Sequence, residues 1–234
     1  MIVAGTVTGK WVVLDSRTRE LHGLHQDGAE PITSVSFSPD GHKLALSSRA
    51  AVQVRTTILS TVTFTWMLEV YRVEEEYRTY TRTGRCLAQA AFLPNLDWSE
   101  DSEYIQANTQ DREVVVVRAS LGRLVTDTDI TRNIVWATTD CLLSWASLGV
   151  WSSGRDPGQD ITSCSRSQEG DLLAAGTEGG EVRLYQYPAS QPGCGHHHYP
   201  GHTSPVARLA FLADDTRLVS VGGKDSAILQ WEIE

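Results

Sequence analysis

The densest group of side chains able to do chemistry is Cys194, His196, His197, His198 and His202, close together near the C-terminal end. Imidazole and thiolate suit zinc. The surrounding segment is rich in proline and glycine, neighbouring histidines on an irregular chain diverge, and no second paired ligand set stands elsewhere. The preferred reading is an exposed loop with no metal, His202 being reserved for a structural role. Asp127 and Asp129 suggest a cation site, but such acids more often cap a turn between strands, and Asp40, Asp171, Asp214 and Asp215 have the same explanation. Serine, histidine and aspartate are all present. Yet no Gly-x-Ser-x-Gly elbow, His-Glu-x-x-His, Gly-x-Gly-x-x-Gly or Walker-type loop occurs, so hydrolase, metalloprotease and nucleotide chemistry lack support. The chain reads as a non-enzyme with no catalytic residue, no cofactor and no metal ligand.

One stretch suggests binding. Tyr71, Arg72, Tyr77, Arg78, Tyr80, Arg82 and Arg85 combine residue types favoured at interface centres. Glu74, Glu75 and Glu76 neutralise the run, so a solvated loop between strands competes with this reading. Arg72, Arg78, Arg82 and Arg85 stand as the candidates for contact with an acidic partner.

The elements that position these residues are short and β-rich. The 234 residues are 41% hydrophobic and 21% charged, as in ordinary globular proteins. The most apolar run, Val52 to Val70, is broken by Arg55, Ser60 and five threonines and cannot serve as a membrane span. Met1 to Gly5 lacks the features of a signal peptide and reads as a strand entered midway, as if the chain began inside a repeat. Four scattered cysteines, with neither a Cys-x-x-Cys pair nor an Asn-x-Ser/Thr sequon, favour a reducing compartment, by default the cytosol. A net charge of -9 makes nucleic acid an unexpected partner.

One phrase recurs: an alternating strand, an acid- and glycine-bearing turn, a second strand, then a third ending in an aromatic. The clearest copy runs from Gly201-His202 through Val206–Phe211, Leu218–Ser220 and Gly222-Gly223-Lys224-Asp225 to Trp231. Others hold Ile161 to Tyr187, Ile32 to Gly41 with its Pro-Asp-Gly turn, and Leu96 to Val117; Ile2 to Leu14 supply the later strands of a further unit. Trp98, Trp136, Trp151 and Trp231 lie on apolar strands and read as core, whereas Trp66 reads as exposed or displaced.

These units resemble the WD40 repeat, four strands per blade. The resemblance implies an all-β fold, a partial WD40-type β-propeller of about four blades plus an incomplete first one. It also implies a structural relay in which His202, Asp225 and Trp231 fill three of four places. Val221 occupies the place of the relay hydroxyl, with Ser220 one residue away and so on the opposite face. The blades are read as 1–28 (incomplete), 29–85, 86–158 (atypical, with a connection and without the usual entry at Ala88–Leu93), 159–200 and 201–234. Within the second, residues 51–66 read as an insert splitting one strand, Leu46–Ser48 resuming at Leu68–Tyr71. The insert is expected to bulge out without adding a strand in register, or to leave the second blade disordered.

The ordered set Ala4–Asp15, Leu96–Ser99, Ile134–Ala137, Gly149–Trp151, Asp160-Ile161 and Ser220–Trp231 is similar to the C-terminal propeller of the echinoderm microtubule-associated protein-like family. That resemblance implies a cytoplasmic, cytoskeletal scaffold binding tubulin and microtubules, with neither nucleic acid nor membrane as partner. A general WD-repeat adaptor for a signalling or ubiquitin-ligase complex is the alternative, and a propeller hydrolase a more distant one.

Overall fold

Runs of β-branched and aromatic residues, cut by turns bearing Gly, Asp and Ser, fold as antiparallel meanders. The computed structural model describes residues 1–26, 28–55, 60–74, 77–88, 92–109, 113–151 and 160–233. They divide into two compact units, Met1–Ala137 and Thr138–Glu234.

The first unit holds three sheets. Sheet 1 joins β1 (Ile2–Gly5), β2 (Lys10–Leu14) and β3 (Leu21–Gln26) in sequence order. Sheet 2 joins β4 (Ile32–Phe37), β5 (Lys43–Arg55), β6 (Ser60–Glu74) and β7 (Thr79–Ala88). Sheet 3 joins β8 (Phe92–Trp98), β9 (Tyr104–Thr109), β10 (Val114–Arg118) and the short β11 (Arg123–Leu124). The sheets pack face to face, and sheet 2 is covered on both sides. Strand alternation explains how: Leu44 and Leu46 meet Trp11 and Val13 of sheet 1, while Ala45, Leu68 and Val70 meet Leu96, Trp98, Ile105 and Val117 of sheet 3. After sheet 3 the chain forms a single-turn helix, α1 (Thr128–Arg132), capped by the Asp127 carboxylate, which accepts the Asp129 amide.

In the second unit, sheet 4 joins β12 (Ile161–Arg166), β13 (Leu172–Thr177), β14 (Glu181–Gln186) and β15 (His196–Pro200). Sheet 5 joins β16 (Val206–Phe211), β17 (Arg217–Gly222) and β18 (Ile228–Glu232). Ala174 and Val182 pack on Val206, Leu209, Phe211 and Leu218 between them.

The internal repeat is visible in the turns after β4, β8 and β12. In each, a buried serine (Ser38, Ser99 or Ser167) donates its hydroxyl to an aspartate (Asp40, Asp101 or Asp171). The same hydroxyl accepts the amide of the residue opening the next strand, at 2.8 to 3.0 Å. Asp214 accepts the Thr216 amide in the fourth copy. Asp215 differs from its expected turn role: it reaches back to accept the Gln168 and Glu169 amides of sheet 4, at 2.8 and 2.9 Å.

The segment 51–66 corrects the sequence reading. Leu46–Ser48 and Leu68–Tyr71 are not one strand but neighbours, with Leu46 opposite Glu69 and Ser47 opposite Leu68. Between them the backbone continues both strands in register, from Arg49 opposite Trp66 to Arg55 opposite Ser60. This ladder runs past the last rung with β4, at Ile32 and Ser48, and past that with β7, at Trp66 and Ala88. Residues added at a hairpin turn lengthen its two arms, because pairing with each other satisfies their backbone groups. Trp66, expected to be exposed, is 5% exposed within the core between sheets 2 and 3.

Candidate functional site

His202 lies between β15 and β16, Ser220 on β17, Asp225 in the turn after it and Trp231 on β18. Two glycines let these segments close. A side chain on Gly201 would strike the Trp231 ring, and one on Gly222 would occupy the place of the Asp225 carboxylate. His202 Nδ1 is 3.0 Å from Asp225 Oδ2, His202 Nε2 is 2.8 Å from Ser220 Oγ, and Trp231 Nε1 donates to Ser220 Oγ at 2.9 Å. Asp225 also accepts the Ala227 and Thr203 amides, at 3.0 and 3.1 Å. The Ala227 amide, helped by His202 and the Thr203 amide, holds its carboxyl below the ordinary aspartate range. Val221 takes no place in this chain; the hydroxyl comes from Ser220, whose neighbours Leu218 and Gly222 share its buried face.

A serine, a histidine and an aspartate in this order have the spacing of a nucleophilic triad. Here the arrangement cannot serve one. Ser220 is wholly buried, and its hydroxyl already accepts the indole N–H, leaving no approach for a substrate. With Nδ1–H donating to Asp225, Nε2 accepts the Ser220 proton and every group in the chain is satisfied.

The basic run falls into separate environments. Arg82 Nη1 and Arg85 Nε converge on Glu69 Oε1, at 2.7 and 3.4 Å, and Glu69 is buried beneath them on β6. Tyr71 adds its hydroxyl to Glu69 at 3.3 Å. Arg72 pairs with Glu74 at 3.7 Å, both exposed, and Arg78 is exposed in the turn before β7. The tyrosines of the run face inward. Tyr71 lies in the core, and Tyr80 meets the Trp11 ring edge-on at 5.0 Å, burial pushing its pKa up to about 12. Tyr77 packs on Phe37. The arginine pair on Glu69 escapes sequence inspection because strand pairing, with Glu69 opposite Arg85, creates it.

His196, His197 and His198 lie on β15, paired with β14, and not in the expected loop. Among the described residues no three His, Cys, Asp or Glu side chains are grouped to hold a metal ion.

The family model described as the echinoderm microtubule-associated protein second beta-propeller matches residues 1–233. Echinoderm microtubule-associated protein-like 2 of Rattus norvegicus is 38% identical over all of this chain and 33% of its own length. Echinoderm microtubule-associated protein-like 1 of Homo sapiens is 36% identical over all of this chain and 27% of its length. The 77 kDa echinoderm microtubule-associated protein of Strongylocentrotus purpuratus is 33% identical, again over the whole chain and over 32% of its own. Among solved structures, a chain from the crystal structure of a mitotic checkpoint complex superposes with a TM-score of 0.67 at 15% identity, covering 99% of this chain and 70% of that one. The fold is of an all-β propeller type, with five antiparallel sheets among the described residues.

Proposed function

The chain belongs to the echinoderm microtubule-associated protein family, matching its second β-propeller, and from that premise we propose that it is a non-enzymatic scaffold binding tubulin and microtubules. The observation that carries the proposal is the match across residues 1–233, joined to relatives whose names describe microtubule-associated proteins. The chain spans about a third or less of the length of those relatives, so the wider protein's activity belongs to the same proposal. One feature supports a binding role over a catalytic one. The Ser220–His202–Asp225 chain is sealed by Trp231, and the proposed role of these four groups is to clip the β17–β18 turn to the segment entering β16.

The contact we propose is the basic stretch of Arg72, Arg78, Arg82 and Arg85. On an acidic chain of net charge -9, attachment to an acidic polymer needs a local basic area. Arg82 and Arg85 answer the buried Glu69 carboxylate, whereas Arg72, paired with the exposed Glu74, and Arg78 in the turn after β6 stand at the surface, so these two are the cleaner probes. The proposed location is the cytoskeleton, in the cytoplasm. Co-sedimentation with microtubules tests the reading; a folded chain that ignores them favours the general adaptor.

A further inference from the structure

We propose that His196 and His198 form a chelating pair for a divalent transition-metal ion such as zinc on the exposed face of β15. The sequence argued against a metal here because adjacent histidines diverge. In an extended strand the side chains alternate, so the relevant pair is i and i+2. Tyr185 stands opposite His196 and Arg183 opposite His198, which places both histidines on one face and His197, opposite Leu184, on the other. The two rings are 6.5 Å apart centre to centre, and the His196 ring rests 4.9 Å from that of Tyr185. An ion about 2.1 Å from a nitrogen of each ring needs centres roughly 5 to 6 Å apart, within reach of small side-chain rotations.

Two further observations suit an ion. β15 is the outer strand of its sheet and all its residues are exposed, so approach is open and water can complete the coordination sphere. Arg183, beneath the pair, has its charge answered by Glu181 Oε2 at 3.1 Å, so the face is not a net cation that would repel metal. The site consists of two protein ligands, and its affinity should be correspondingly modest.

Calorimetric titration of the chelator-treated chain with zinc chloride tests this, using His196→Gln, His198→Gln and His197→Gln, with circular dichroism confirming that each folds. The expected result is one zinc per chain for the parent and for His197→Gln. Binding should weaken roughly tenfold or more in each of the other two. The proposal is overturned if the parent shows no saturable zinc binding, if the His196 and His198 variants bind like the parent, or if His197→Gln loses as much as they do.

Discussion

His202 Nε2 lies 2.8 Å from the Ser220 hydroxyl, in a position where neither side chain meets solvent. Ser220→Ala removes the acceptor for Trp231 N–H and the donor to His202, leaving two buried polar groups unmatched. It should cost about 1 to 3 kcal/mol of folding stability. Denaturant unfolding checks this, and an unchanged midpoint would show that the relay does not hold the blade.

Asp225 carries a pH dependence through the same relay. Its carboxyl is held low first by the Ala227 amide and then by His202 and the Thr203 amide. A depressed folded-state pKa stabilises the fold above the unfolded value of about 3.9, and that stabilisation is lost as pH falls through the lower folded value. The difference in stability between the parent and Asp225→Asn should therefore be constant from neutral pH to about pH 5 and shrink below about pH 4. A difference that persists undiminished into stronger acid would contradict the assignment.

Glu69 gives the basic stretch a structural task separate from binding. Replacing both Arg82 and Arg85 by Ala leaves a buried carboxylate without its two guanidinium partners. Because each arginine is about half exposed, the cost should be about 1 to 3 kcal/mol rather than that of a fully buried pair. Adding Glu69→Gln to the double variant should recover part of the loss in thermal unfolding. If it recovers none, the three residues are not coupled.

The long β5–β6 arm extends past the four-stranded part of sheet 2. Replacing residues 51–64 with a two-residue Asn-Gly turn should leave the unfolding temperature nearly unchanged, since a shorter hairpin loop carries little entropic penalty. Trp66→Ala, just inside the sheet, should cost about 3 to 5 kcal/mol. A collapse of the shortened variant would show that the arm supports the core.

The blade strands were legible because strand and turn chemistry repeat locally: Pro39-Asp40-Gly41 and Gly179-Gly180 mark turns whatever surrounds them. The strand carrying His196 to His198 was not, because proline, glycine and histidine have weak strand preference and only pairing with β14 extends them. Ser220 was passed over for a different reason. The repeat resemblance put the relay hydroxyl at Val221, one residue along and on the other face of β17, whereas Ser220 shares the buried face with Leu218 and Gly222. The split strand at 51–66 failed because a lengthened hairpin and an interrupted strand look alike until the partner of each residue is known.

Attachment to microtubules is measured by co-sedimentation of the folded chain with polymerised tubulin. The chain should pellet with the polymer, less so as salt is raised, and less in the Arg72→Ala, Arg78→Ala double variant, whose fold should be intact by circular dichroism. A well-folded chain that stays in the supernatant at low salt, with polymer in excess, would contradict it.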